Sequence, residues 1–341
     1  MRAALYYSNR DVRIEERPRP TAGTGELVFR VEASGICGSD VMEWYRIKKA
    51  PIVLGHEVAG EVVEAGPGVV GFRPGDRIVA THHVPCNACR YCLAGQHPYC
   101  DMLRATTFDP GGFAEYVRLP EVNVVRGTFH LPLGMTYEEG TFVEPLACVV
   151  RGMRAARFAR GQSVAVLGSG ISGVLFVRLA RALGAGRVFA TDVNARRLEY
   201  ARAAKADATI LATEDAPRRI REANGGRGAD LVVVSTAAAA AIGQSFRSAD
   251  RGGTILIFAP AAPGETYPVP LFDVWNAGLT IVHSYAGPPN DMRRAIELIA
   301  SKRLDVAPMI THRLPLARTG EGFRLVAEAG DSLKVIVEPQ K

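Results

Sequence analysis

Over the first 120 or so residues the apolar positions come in short runs broken by glycine and proline. Glu26-Leu27-Val28-Phe29-Arg30-Val31 and Val58-Ala59-Gly60-Glu61-Val62-Val63 are examples, and turn signals stand at Gly66-Pro67-Gly68 and Arg73-Pro74-Gly75-Asp76. Such segments predict short strands and an all-β beginning. The texture changes near residue 145. From Gly161 to about Ser284, the apolar runs Ser163–Leu167, Arg187–Thr191, Leu231–Val234, Thr254–Phe258 and Thr280–His283 alternate with helical stretches. Several runs are nearly bare of polar residues, as strands covered on both faces are. Strand–helix alternation at this period predicts a parallel, doubly wound sheet.

Past Tyr285 the pattern changes again. An amphipathic helix is expected around Met292–Ala300, with Ile296, Leu298 and Ile299 apolar, and a β-like tail ends in Leu333-Lys334-Val335-Ile336-Val337. The Ala237–Ala241 run reads as a helix near a strand end. Because the tail matches the opening segment in texture, the expected architecture is α/β with a discontinuous β-rich domain. That domain takes residues 1–148 and 286–341, and a dinucleotide-binding domain of the Rossmann type, 149–285, is inserted into it.

Composition narrows the function classes. A chain of 341 residues exceeds one hydrophobic core and suits two domains. No window is apolar for long enough to span a membrane. The start, Met1-Arg2-Ala3-Ala4-Leu5-Tyr6-Tyr7-Ser8-Asn9, soon meets charge at Arg10 and Asp11 and has no signal-peptide core, so a cytoplasmic protein is expected. The net charge of +6 is scattered and interleaved with acids, as in Arg13-Ile14-Glu15-Glu16-Arg17, which argues against nucleic acid as a partner.

An apolar strand, Val164–Leu167, runs into Gly168-Ser169-Gly170-Ile171-Ser172-Gly173, a G-x-G-x-x-G pattern. Gly168 permits a tight turn, Gly170 lets backbone approach a pyrophosphate, and Gly173 lets the helix pack on the strand. The helix start at Ile171 and Ser172 offers free N–H groups to phosphates. The next strand ends at Asp192, whose carboxylate suits a ribose 2′-hydroxyl and repels a 2′-phosphate. NAD is therefore expected over NADP, although Arg196 and Arg197 just downstream are able to accept a 2′-phosphate.

Of six cysteines, Cys86, Cys89, Cys92 and Cys100 crowd into one loop with C-x2-C-x2-C-x7-C spacing. Four thiolates from one short segment close a tetrahedron around zinc and leave no open position, which marks a structural site.

The remaining ligand-type residues are dispersed: Cys37-Gly38-Ser39-Asp40, Gly55-His56-Glu57 and Val143-Glu144-Pro145-Leu146-Ala147-Cys148. Together with Gly55-His56-Glu57-Val58-Ala59-Gly60-Glu61-Val62, Gly75-Asp76-Arg77-Ile78-Val79 and Gly111-Gly112-Phe113-Ala114-Glu115-Tyr116, the whole chain resembles the zinc-dependent medium-chain alcohol dehydrogenases, most closely their sorbitol dehydrogenase-like branch.

That resemblance implies a GroES-like catalytic domain beside the Rossmann domain, two zincs per chain, and reversible NAD-linked oxidation of a secondary alcohol to a ketone. It implies that Cys37, His56 and Glu144 hold a catalytic zinc, with Glu57 beside the metal and coordinating directly in some states. Ser39 passes on the substrate proton, and Asp40 steadies the histidine ligand. A homo-oligomer, dimer or tetramer, is implied as well.

Two positions depart from the branch. Met42 stands where the family commonly has a relay histidine, and His83, near the zinc lobe, is a substitute by sequence proximity. Ser284-Tyr285 stands where polyol enzymes often have Arg-Tyr, with Trp44, Phe108 and Tyr285 as candidate pocket residues. The expected alcohol is thus a polyol, diol, amino alcohol or simple secondary alcohol. The rival readings are a zinc-independent quinone or enoyl reductase on the same scaffold and a non-catalytic dinucleotide-binding protein.

Overall fold

The computed structural model describes all residues, Met1 to Lys341, and divides into two compact units: Met1–Ala147 with Ala286–Lys341, and Cys148–Tyr285. In the first unit, a seven-stranded sheet runs in the order Ile310–Pro315, Lys334–Glu338, Leu27–Gly35, Glu57–Ala65, Arg77–Ala80, Thr128–His130, with Tyr116–Leu119 also paired to Leu27–Gly35. Pairing is antiparallel except between Ile310–Pro315 and Lys334–Glu338. A second sheet joins Asp11–Glu16, Arg2–Ser8 and Ile52–Val53.

Leu27, Phe29 and Val31 meet Val58, Val62, Ile78, Val117 and Leu119 in one core. Arg30 and Glu32 on the alternate positions are only half-buried, whereas Val28 is buried too, so the strand is covered on both faces at its start. A separate core gathers Tyr6, Leu54, Phe113, Leu316, Phe323 and Val335. The expected helix after residue 285 is present and starts earlier, as Pro289–Ala300. Its buried stripe is Met292, Ala295, Leu298 and Ile299, while Ile296 is only half-buried. Proline in the first turn accounts for the earlier start, since an N–H is not needed there.

The opening segment is not purely β. Glu43–Arg46, Arg90–Leu93 and Asp101–Ala105 each form about one helical turn.

The second unit holds a six-stranded, all-parallel sheet ordered Ala208–Leu211, Arg187–Asp192, Ser163–Leu167, Ala229–Val234, Ala249–Ile257, Thr280–His283. The order reverses beside Ser163–Leu167, the switch point of a doubly wound sheet. Every residue of Ser163–Leu167 is buried, as its apolar run demands. Thr280–His283 differs: it is the edge strand and its side chains are largely exposed. The helix Leu271–Ala277 beside it in sequence has no buried residue.

Candidate active site

At the switch point Gly168 has φ +98°, a left-handed conformation that favours glycine. A Cβ on Gly173 would collide with the Gly168 carbonyl. The turn and the helix start therefore approach as closely as the glycine spacing requires. The helix Ile171–Ala182 begins at Gly170 with no side-chain cap, which leaves the N–H groups of Ile171, Ser172 and Gly173 free of intrahelical partners.

The Asp192 carboxylate accepts Ser169 N–H at 2.7 Å and Asn194 N–H at 2.8 Å. Arg197 Nη1 lies 3.7 Å from the point a Cβ on Gly170 would occupy, and its buried Nε has no hydrogen-bond partner. The expected cofactor-binding residues are thus gathered around one turn.

In the first unit the ligand types meet in three groups. The Sγ atoms of Cys86, Cys89, Cys92 and Cys100 lie within 4.8 Å of one another, and none is in a disulfide. Cys86 Sγ accepts the N–H of Cys89 at 3.2 Å and of Ala88 at 3.4 Å, and Cys100 Sγ accepts Cys86 N–H at 3.3 Å. The backbone N–H groups of Ala88 and Cys89 bring the Cys86 thiol down to about 6, and burial pushes Cys92 up to about 12. Donors aimed at sulfur suit thiolates, and four of them match a closed zinc site. Arg126 Nη1 pins the entry of the loop through the Pro85 and Cys86 carbonyls at 3.2 and 3.0 Å.

Replacing Cys92 with serine should remove one zinc and lower the melting temperature, because binding energy at such a site is folding energy. Metal analysis with thermal unfolding checks this, and an unchanged zinc content would contradict it.

The second group is Cys37, His56 and Glu57, again within 4.8 Å. Thiolate, imidazole and carboxylate form a donor set that fits zinc and leaves a position open. Cys37 lies just beyond the end of the strand Leu27–Gly35, while Glu57 opens the neighbouring strand Glu57–Ala65, with Gly35 opposite Glu57 in register. Asp40, fully buried, holds this group from behind. Its Oδ2 accepts Cys37 N–H at 3.1 Å, and its Oδ1 faces His56 Nδ1 at 3.4 Å, leaving Nε2 for a metal. Burial pushes the Asp40 carboxyl up, but His56 and Arg46 outweigh it and hold the group below its usual range. Burial likewise pushes His56 down, and Asp40 reverses this, leaving His56 well above its ordinary value.

Ser39 Oγ lies 3.4 Å from Cys37 Sγ and accepts Arg46 Nη2 at 3.1 Å. Arg46 Nε also donates to the Ser39 carbonyl at 2.9 Å.

The third group is His82, His83 and Glu144, also within 4.8 Å. Glu144 is thus gathered with two histidines that follow the strand Arg77–Ala80, not into the closest set around Cys37. The His82 and His56 rings are 4.7 Å apart, so the two groups adjoin. Of the candidate pocket residues, Phe108 is buried with its ring 6.1 Å from His82, Trp44 and Tyr285 are partly exposed, and the Ser284 hydroxyl is buried without a partner.

Sequence reading missed Arg46 and Lys334. Lys334 forms a buried ion pair with Glu57, both side chains 1% exposed. A Cβ on Gly35, in the strand between them, would collide with both charged ends, so glycine is required there. The only signal for Lys334 was a lone lysine inside an apolar strand.

Residues 23–129 match the alcohol dehydrogenase GroES-like domain, and residues 173–301 match the zinc-binding dehydrogenase domain. Sorbitol dehydrogenase of Gallus gallus is 31% identical over 347 residues, covering 98% of this chain and 96% of the relative. The chain belongs to the zinc-dependent medium-chain alcohol dehydrogenase family. An alcohol dehydrogenase from Thermus sp. ATN1 superposes on this dehydrogenase with a TM-score of 0.88 at 30% identity, covering 99% of each chain. A protein from Sinorhizobium meliloti 1021 solved with NADP bound gives the same score, identity and coverage. The chain is a zinc-dependent dehydrogenase acting on an alcohol with a nicotinamide cofactor.

Proposed function

We propose that the enzyme oxidises a secondary alcohol to a ketone with NAD, reversibly, using two zincs per chain. The observation that carries this is the closure of Cys37, His56 and Glu57 into one donor set backed by buried Asp40. In this reading Cys37 and His56 hold the catalytic metal, Glu57 and Glu144 supply carboxylates to it, and the four lobe cysteines hold the structural one. When bound, zinc supplies the Lewis acidity that makes a hydroxyl proton easier to remove. A nicotinamide held at the glycine turn would supply the hydride acceptor.

The chain's own residues do the rest. Asp40 fixes the His56 ring. Arg46 holds Ser39 Oγ in place, and Ser39 Oγ passes the substrate proton outward. Met42 carries no proton, so the path beyond Ser39 does not pass through that position. Sorbitol dehydrogenase relatives favour a hydroxylated substrate, while Ser284 in place of an arginine favours a smaller diol over a long polyol. A screen of polyols, diols, amino alcohols and simple secondary alcohols, read as nicotinamide reduction, tests this. No reduction with any of them would remove the reading.

Asp192 supports NAD, because a second negative charge beside a 2′-phosphate is unfavourable. Asp192→Ser should raise the NADP-to-NAD ratio of kcat/KM by about 10- to 100-fold, the equivalent of relieving one like-charge contact. An unchanged ratio would show that another group selects the cofactor.

The exposed Leu271, Phe272 and Trp275, beside an exposed edge strand, support a homo-oligomer, since such edges and patches are normally covered. Light scattering should return a multiple of the 36.6 kDa chain mass, and the monomer mass would remove this reading. None of the six cysteines is in a disulfide and five of them serve as thiolate ligands in this reading, which supports a reducing cytoplasmic location that cell fractionation would check.

A further inference from the structure

The four-residue helix Glu43–Arg46 has no buried residue and no side-chain cap at Met42. A single turn without a buried face does not hold itself in place. Yet this turn carries Arg46, whose Nε and Nη2 donate to the Ser39 carbonyl and hydroxyl at 2.9 and 3.1 Å. Arg46 Nη2 also lies 3.6 Å from the buried Asp40 carboxylate. Asp40 in turn accepts Cys37 N–H and faces His56. The alignment of these residues therefore depends on whatever fixes the helix from outside.

Asn9 does so. It stands in the tight turn between the strands Arg2–Ser8 and Asp11–Glu16. Its Nδ2 donates to the Val41 carbonyl at 2.8 Å, and its backbone N–H donates to Glu43 Oε1 at 3.1 Å, so it grips the helix entrance twice. Its Oδ1 accepts the Tyr6 hydroxyl at 2.9 Å. Tyr6 is 1% exposed, and its ring packs against Phe323 in the core, 5.6 Å between centroids. A strut thus runs from the core through Tyr6 and Asn9 to the helix, and on through Arg46 to Ser39 and Asp40.

The ordinary reason for an asparagine in a turn does not cover these contacts. In turns its side chain bonds its own backbone two residues on. Here the amide nitrogen reaches a residue 32 positions away, and the amide oxygen is taken by a buried tyrosine. Only an amide donates to the carbonyl and accepts from the hydroxyl at once.

We propose that Asn9 is a positioning residue for the reaction, holding the helix Glu43–Arg46 so that Arg46 keeps Ser39 and Asp40 aligned on Cys37 and His56. This rests on the roles given above to Cys37, His56 and Ser39, and it adds to them a residue from another part of the chain. None of the Asn9 hydrogen bonds reaches a metal ligand, so its effect passes through Arg46.

Asn9→Asp is the test. Aspartate suits turns as well as asparagine does, so the hairpin is kept. It keeps an acceptor for Tyr6 and loses the donor to the Val41 carbonyl. Counted per zinc-loaded chain, kcat with the best alcohol of the screen above should fall about 10- to 100-fold, the effect of a small misplacement of a catalytic group. KM for NAD should not change, since the glycine turn belongs to the other unit. Under a coloured chelator one zinc per chain should leave about tenfold faster than in wild type, as expected when an outer support of the ligands is lost. The zinc of the cysteine lobe should leave at its wild-type rate. Faster loss of both zincs would mean a general loosening of the fold and overturns the proposal.

Arg46→Met and the double variant show whether the effect passes through Arg46. The double variant should be no slower than Arg46→Met alone, and losses that multiply overturn the proposal. Tyr6→Phe keeps the ring in the core and removes only the hydroxyl. It should shift kcat and zinc loss in the same direction by a smaller factor, and it decides the matter if Asn9→Asp does not fold. Wild-type turnover and zinc retention in both Asn9→Asp and Tyr6→Phe overturn the strut and leave the dehydrogenation reading standing. If none of the proteins oxidises an alcohol while Asn9→Asp still sheds one zinc faster, the dehydrogenation reading falls and the strut stands.

Discussion

Replacing His56 with alanine should lower turnover by about a thousandfold, the rate equivalent of the several kcal/mol a Lewis-acid metal contributes. His56 meets Cys37 and Glu57 within 4.8 Å and is held by Asp40 at 3.4 Å. Without its ring the donor set drops to one thiolate and a carboxylate already paired to Lys334. Zinc content should fall from two to one per chain, because the cysteine lobe is a separate set of four residues. NADH affinity should stay within a fewfold of wild type, since Gly168, Asp192 and Arg197 belong to the other unit. Equal loss of turnover and of NADH binding would place His56 in a structural role.

Replacing Lys334 with methionine should have the largest effect on stability. In zinc-free protein the substitution leaves Glu57 buried with no cation beside it. Removing one partner of a buried pair costs about 3–5 kcal/mol, because the remaining charge stays desolvated. Lys334 and Glu57 are each 1% exposed, and Gly35 is held to glycine by the space they occupy. The double variant Lys334→Met with Glu57→Gln should recover a large part of the loss, because both charges then leave the interior. Urea unfolding of the three proteins measures this. If Lys334→Met unfolds at the wild-type midpoint, the pair does not hold the strands together.

How far each feature could be read from the sequence follows from how local its cause is. Ser163–Leu167 and the glycine turn after it were legible because burial on both faces and positive φ leave direct marks on residue type. The cysteine lobe was legible for the same reason, since its four ligands fall within one loop. Thr280–His283 looked equally apolar, yet its side chains are exposed. An apolar run marks a strand without recording whether it stands in the middle of a sheet or at its edge. The single-turn helices, such as Glu43–Arg46, are too short to set up a period.

Arg46 and Lys334 could not be read, because their meaning lies in contacts that spacing does not encode. Lys334 lies 277 positions from Glu57, and nothing near either residue announces the other. Arg46 is close to Ser39 in sequence, but only the one-turn helix carries its guanidinium back onto the Ser39 hydroxyl and carbonyl. Glu144 was placed among the ligand residues by resemblance, and its gathering with His82 and His83 is visible only in three dimensions.

In the proposed reading, zinc held by Cys37 and His56 is required for oxidation of an alcohol by this chain. The most direct measurement is nicotinamide reduction with butane-2,3-diol by the same preparation before chelation, after chelation and after zinc is restored, with zinc counted at each stage. Turnover should disappear when the more accessible zinc is withdrawn, while the cysteine-held zinc remains, and should return when two zincs per chain are regained. Full turnover in protein stripped of both zincs would contradict it.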